Sequence, residues 1–212
     1  MNNRGRKDEV VEAIYASIMN GTYRYGAQIK ESQIAEELSM SRAPVREALA
    51  ELVSDGILEQ RPRRGVFVKE ITAKDIYDTY ETKGILEGFL ATDFILRAEE
   101  EDYILLQRYV DAMRQADNSR EEVVRIGKQF HTLTLKYGRN SVLKRALDRV
   151  NRKSQILFYQ NWIRMYTLDE ITERHQKIVD ALISRKRHDI EATIREHYIE
   201  TGTKIVLINE EI

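Results

Sequence analysis

SRAPVREALAELVSDG, residues 41–56, is the stretch on which the reading of the fold turns. Val45, Ala48, Leu49, Leu52 and Val53 recur at i, i+3, i+4, i+7 and i+8, which predicts one apolar stripe along about three turns of helix. Ser41 offers a hydroxyl to the open first-turn amides, Pro44 falls in the first turn where its missing N–H costs nothing, and Gly56 ends the helix. Arg42 and Arg46 lie off the stripe, one turn apart, within reach of a phosphate or a guanine edge. Alone, they describe a solvated helix face equally well.

The flanks decide between these readings. Upstream, a basic tail over residues 1–6 leads into Val11, Ile14, Tyr15, Ile18 and Met19, the pattern of an amphipathic helix closed by Gly21. NGTYRYG, residues 20–26, reads as a turn; Ser32 then caps a short second helix with Ile34, Ala35 and Leu38 inward, and Ser39 and Met40 form the next turn. A short helix, a tight turn and a helix with exposed polar residues at its start have the spacing of a helix-turn-helix. Downstream, Ile57 to Gln60 and Val66 to Lys69 read as strands around Arg61-Pro62-Arg63-Arg64-Gly65. A basic hairpin tip suits a narrow minor groove. Helix-turn-helix, wing and clustered arginines together point to DNA binding rather than to incidental surface charge.

Composition bounds the rest. The 212 residues are 42% hydrophobic and 33% charged, with a net charge of −1, so any positive patch must be local. There are no cysteines, which removes disulfides, thiolate metal sites and cysteine nucleophiles and fits a cytoplasmic protein. No apolar run approaches the roughly 20 residues that span a bilayer, and the polar start MNNRGRKDE lacks a signal-peptide core, so no membrane partner is expected.

Residues 7–70 resemble the winged helix-turn-helix of GntR-type bacterial transcription regulators, carried by the run SRAPVREALAELVSDGIL and the later RRGVFV. The resemblance implies DNA contacts at Ser32, Ser41, Arg42, Ala43, Arg46, Arg64 and Gly65, and a homodimer on a palindromic double-stranded operator. Two positions depart from the family pattern. Ser39 and Met40 stand where glycine and valine are usual, a cost in stability if the first is left-handed. Ala43 stands where threonine or serine is common, leaving a methyl contact in place of a hydrogen bond.

From Thr72 onward only helical spacing remains, predicting helices over residues 73–97, 103–116, 120–137, 141–165, 168–184 and 187–207 in an antiparallel bundle. The fold class expected is therefore mainly α: a winged helix-turn-helix with a small β hairpin over residues 1–70, and an all-helical domain over residues 71–212. RKRH, residues 185–188, is a basic cluster at a helix junction, with His188 exposed. His131, His175 and His197 each fall in an apolar periodic stretch on a separate helix. Each is either a satisfied core residue or one of three converging on a divalent metal.

The second half resembles the FCD effector domain of the FadR subgroup, carried by Phe130-His131 and by ERHQKIVDALISRKRHDIEATIREH. The resemblance implies a metal, zinc or nickel, on His131, His175 and His197, and a small carboxylate effector bound there with Lys83. Gly127 replaces the aspartate that relatives place one turn before the first histidine, which weakens the site. Lys83 replaces an arginine, so a point charge stands in for a bidentate fork; alternatively Lys83 and Glu87 are an ordinary i, i+4 pair. Tyr80, Tyr159 and Trp162 either line the pocket or belong to the core. The expected function is a ligand-responsive transcription regulator. The alternatives are a metal-dependent hydrolase with a DNA-binding head and a helical domain that only dimerises. The hydrolase lacks a base: Glu173 and Glu196 are near His175 and His197 in sequence but point elsewhere on their helices.

Overall fold

The computed structural model describes residues 3–116, 120–161 and 165–210. The chain divides into two compact units, residues 1–72 and 73–212.

In the first unit, α1 (Asn3–Met19), α2 (Glu31–Glu37) and α3 (Arg42–Ser54) pack against β1 (Gln28–Ile29), β2 (Leu58–Arg61) and β3 (Gly65–Val68). The apolar stripe of α3 is inside: Val45, Ala48, Leu49 and Leu52 are buried with Ile14 and Ile18 of α1 and Leu58 and Val68 of the sheet. Burial of each of these side chains except the small Ala48 stabilises the unit by about 1.5–3 kcal/mol. Val53, at the margin of the stripe, is only half-buried. The sheet is antiparallel in the order β1-β3-β2, with Leu58 opposite Val68 and Arg61 opposite Gly65. The hairpin turn closes through Arg64 N–H to Arg61 O at 3.0 Å. Pro62 presets φ at the second turn position, and Arg63 takes a left-handed φ of 60° at the third.

Several local expectations are corrected. The helix of the first segment begins at Asn3 among the described residues, where a frayed tail was expected. Lys30, not Ser32, is the residue before α2, so Ser32 lies inside its first turn. Ser41 does precede α3 in extended conformation, but its hydroxyl makes no capping bond. β1 pairs Gln28 with Phe67 and Ile29 with Val66, a third strand too short to leave a period in the sequence. Ser39 has φ 51°, so the helix-helix turn does require the left-handed geometry that favours glycine.

The second unit comprises α4 (Ala73–Ala91), a single 3-10 turn (Phe94–Leu96), α5 (Glu100–Gln115), α6 (Arg120–Thr134), α7 (Ser141–Asn161), α8 (Leu168–Ser184) and α9 (Arg187–Glu210). Among the described residues no helix is long and apolar enough to cross a membrane. Thr167 and Glu170 form a capping box that starts α8, and Arg185 ends it in left-handed conformation. The core is built from Leu90, Phe94, Leu106, Met113, Phe130, Ile178 and Leu182, all essentially inaccessible.

α4 runs along α9 at close range because glycines face the contact. A Cβ on Gly84 would lie 2.9 Å from Arg195 Cα, and one on Gly202 would lie 2.9 Å from Tyr80 Cβ. The first long helix stops at Ala91 rather than near Arg97. Thr92 hydroxyl donates to Phe89 O at 2.8 Å and accepts from Arg187 at 2.9 Å. The chain then turns to set Phe94 edge-on to Tyr103, 5.3 Å between centroids. α5 starts at Glu100, inside the acidic run Glu99 to Asp102, where Asp102 accepts the Glu99 N–H at 3.2 Å. α6 ends earlier, at Thr134, where the Thr134 hydroxyl takes the His131 carbonyl at 2.8 Å.

Candidate functional site

The first candidate surface is the outer side of α3 and the tip of the hairpin. Burial of Val45, Ala48 and Leu49 turns Arg42, Ala43 and Arg46 outward, and all three are exposed, as are Ser41 and Ser32. Arg46 is held by Glu31 of α2, Nε to Oε1 at 2.9 Å, with its side chain 66% exposed. Such a pair is worth at most about 1 kcal/mol, so a phosphate can replace it.

The hairpin tip is more tightly organised. Arg61 and Arg64 stand over the Phe67 ring at 4.4 and 5.7 Å, and Arg61 also bonds Glu59 at 2.6 Å. Gln28 Nε2 donates to Arg64 O at 2.8 Å. Gly65, at φ 96°, leaves its Cα side against Gln28, where a Cβ would stand 3.3 Å from Nε2. The wing backbone is therefore pinned from β1. Sequence reasoning missed Gln28, Phe67 and Glu31; period-two spacing of Phe67 with a basic tip was the available signal for one of them.

The second candidate site lies inside the helical unit. His131 on α6, His175 on α8 and His197 on α9 come together, with one ligand nitrogen of each within 4.8 Å of the others. Ligands on a tetrahedral ion at about 2.1 Å are about 3.4 Å apart, so small ring movements suffice to close the set. His175 Nδ1 engages Ile171 O at 2.8 Å, which leaves Nε2 with the lone pair. Burial, reinforced by His131, pushes His175 down to about 3, so it is neutral at physiological pH. Burial likewise holds His197 well below the usual imidazole range. His197 Nδ1 is fully enclosed and lacks a hydrogen-bond partner, a state that costs about 1–3 kcal/mol when nothing fills it.

Glu87 of α4 reaches this cluster rather than the surface. Its Oε1 is 2.7 Å from His131 Nδ1 and accepts the Tyr198 hydroxyl at 2.7 Å. Burial pushes its carboxyl up, but His131, Lys83 and Tyr198 together hold it below the usual range. Lys83 is turned inward: its ammonium is 3.3 Å from Ser154 Oγ and 4.6 Å above the Tyr198 ring. Desolvation lowers its pKa, partly countered by Glu87. Lys83 and Glu87 are therefore more than an ordinary i, i+4 pair: Glu87 is buried and bonded to His131 and Tyr198, and Lys83 is half-buried against Ser154 and Tyr198.

Gly127 faces the same space. A Cβ there would lie 3.9 Å from Met113 Cε and 4.0 Å from His175 Nε2, an ordinary contact distance. Of the three aromatics, Tyr80 is buried and donates to Ser154 O at 2.9 Å, Tyr159 is 42% exposed, and Trp162 lies outside the described residues. His188 is exposed, and so are Glu173 and Glu196, neither of which faces the imidazoles.

Two family models match the chain: bacterial regulatory proteins of the gntR family over residues 6–68 and the FCD domain over residues 78–200. The HTH-type transcriptional regulator YdhC of Bacillus subtilis is 28% identical over 184 residues, 85% of this chain and 82% of that protein. The Nta operon transcriptional regulator of Aminobacter aminovorans is 27% identical over 179 residues, 82% of each chain. Among solved structures, McbR/YncC of E. coli superposes with a TM-score of 0.72 at 18% identity, over 98% of this chain and 99% of that one. These relatives are regulators, not enzymes, which removes the hydrolase alternative. A winged helix with exposed arginines on its reading helix, followed by a helical unit matched over most of its length, places the chain in the gntR family of bacterial regulatory proteins with an FCD domain: it is a transcription regulator of that type.

Proposed function

We propose that the protein binds a palindromic operator as a cytoplasmic homodimer, each copy inserting α3 into the major groove and its Arg63-Arg64-Gly65 wing into the adjacent minor groove. The observation that carries this reading is the outward face of α3. Arg42, Ala43 and Arg46 are presented together while every apolar residue of the stripe but Val53 is buried. Arg42 and Arg46 contact guanine or phosphate, Ala43 offers a methyl to a thymine, and Ser32, Ser41, Arg64 and Gly65 meet the backbone or the groove floor. Selection of binding sites from random duplex DNA, followed by sizing of the complex, tests this. Two copies on a two-fold-symmetric site support it; one copy on an asymmetric site rejects it.

Residues 1–70 serve as the reading head and residues 71–212 as the sensing and dimerising domain. His131, His175 and His197 hold a divalent cation, zinc or nickel, for which three neutral imidazoles are suitable ligands. The buried, unpartnered His197 Nδ1, beside two more imidazoles with ligand nitrogens within 4.8 Å, fits such an ion better than a closed apolar core. When bound, the metal supplies a Lewis-acidic point for an anionic effector, and Lys83 supplies a second positive contact, so a small carboxylate is the expected ligand class. The effector shifts DNA affinity by binding the competent and incompetent states unequally. A domain that only dimerises gives no reason to keep three imidazoles, a carboxylate and an ammonium in its interior. Elemental analysis and thermal-shift screening separate the two, since a bound ion or effector raises the melting temperature.

A further inference from the structure

A carboxylate that is 1% exposed in an apolar bundle persists only when its charge is paired and hydrogen-bonded. Of the two buried carboxylates among the described residues, Asp102 is held by Lys136 at 2.8 Å and Tyr137 at 2.6 Å. Glu87 is held by the histidine cluster, with His131 Nδ1 and the Tyr198 hydroxyl both on Oε1. The Tyr198 hydroxyl also lies 3.1 Å from His131 Nδ1, so the three groups form a closed triangle. Two of the three imidazoles therefore have Nδ1 engaged. His175 uses a neutral backbone carbonyl; His131 uses a charged side chain from a different helix.

We propose that Glu87 is the positioning and charge-balancing residue of the three-histidine centre. It accepts the His131 Nδ1–H, fixes the tautomer that leaves Nε2 with the lone pair, and raises the basicity of that nitrogen. Its charge partly offsets a divalent cation that receives no anionic ligand from Gly127. Tyr198 fixes the Glu87 rotamer, and Lys83 lies 4.6 Å above the Tyr198 ring. Glu87 does not ligate the ion. This inference rests on the reading of the three imidazoles as a cation site.

The test uses the full chain stripped of metal, with Co²⁺ as a spectroscopic probe and Zn²⁺ in competition. E87Q keeps the shape of the side chain but removes its charge. The expected result is a 10–100-fold loss of Co²⁺ affinity, with the ligand-field spectrum at saturation retained. On an H131A background the same change costs less than about threefold, because Glu87 acts through His131. Y198F leaves the carboxylate in place and loses less than E87Q; if E87Q does not fold, the Y198F and H131A cycle decides on the same criterion. Equal affinity of wild type and E87Q overturns the inference alone, as does an undiminished loss on the H131A background, which marks a general structural effect. Failure of the wild type to bind either ion overturns both this inference and the three-histidine reading.

Discussion

Replacing Gly84 with alanine destabilises the helical unit, although the same substitution inside an unconstrained helix is stabilising. Alanine gains about 1 kcal/mol over glycine in a helix interior. Against this, the new Cβ stands 2.9 Å from Arg195 Cα and 3.1 Å from Arg195 O, both backbone atoms of α9 that no rotamer change can move. Ordinary carbon contacts lie at about 3.5–4.0 Å, so α4 and α9 must separate by roughly 0.6 Å or more. Overpacking costs about 1–3 kcal/mol; a clash with two backbone atoms belongs in the upper part of that range, about 2–3 kcal/mol, for a net loss of about 1–2 kcal/mol. The built-in control is Gly127→Ala in the same unit, where the nearest atoms are at 3.9 and 4.0 Å and the helix-propensity gain stands unopposed. Urea denaturation with matched slopes, or calorimetry, reads the pair. Gly84→Ala lowers the melting temperature by about 3–6 °C while Gly127→Ala leaves it unchanged or raises it. Because Gly84 is one turn from Glu87, the displaced helix also draws the carboxylate away from Tyr198 and weakens cation binding. A Gly84→Ala protein as stable as Gly127→Ala refutes the close-contact argument.

Three further outcomes follow from the same geometry. Gln28→Ala removes the bond to Arg64 O and frees the wing, so operator affinity drops several-fold in a gel-shift titration while urea stability changes by less than about 1.5 kcal/mol; unchanged affinity removes Gln28 from the account. Glu31→Gln releases Arg46 from its ion pair, and operator affinity rises a few-fold at low salt by fluorescence anisotropy, whereas a fall shows that Glu31 positions Arg46 for its contact. Asp102 is held below its ordinary value of 3.8: burial opposes this, but Lys136, Tyr137 and the Glu99 N–H outweigh it. Its contribution is therefore complete above pH about 4 and is lost as pH falls through the depressed value. Lys136, raised by the Asp102 and Tyr137 bonds, contributes below its ordinary 10.5 and loses that contribution as pH rises through its own raised value. Asp102→Asn costs about 2 kcal/mol at pH 7 and flattens the acid limb of the stability profile, and an acid limb identical to wild type contradicts the assignment.

The reading helix was legible because its information is local. Val45, Ala48, Leu49 and Leu52 bury one face, and that alone turns Arg42 and Arg46 outward. The wing was legible to within one residue because Pro62 and Gly65 punctuate it. β1 was not, since two residues cannot display a period, and its pairing with β3 depends on the sheet already being formed. The helix end at Ala91 was hidden for a similar reason: no glycine or proline marks it, and the turn follows from where Phe94 packs and from Arg187 reaching Thr92 across the fold. Spacing suggested that the three histidines face inward, but their distances from one another depend on how α6, α8 and α9 assemble. Glu87 was the least legible. Four residues after Lys83 it matches a surface ion pair, and only the approach of α4 to α9, permitted by Gly84 and Gly88, carries it to His131 and Tyr198.

In the proposed complex α3 reads DNA through its outward arginines, Arg42 and Arg46. Fluorescence anisotropy of wild type and of Arg42→Glu/Arg46→Glu on the selected duplex, over a series of salt concentrations, tests it most directly. Wild-type log affinity should fall linearly with log salt, at a slope of about −0.9 per phosphate neutralised. The double variant should bind at least about 100-fold more weakly at low salt, with a visibly shallower slope, while its denaturation curve matches wild type. Equal affinity and equal slope for the two proteins would contradict the assignment of α3 as the reading helix.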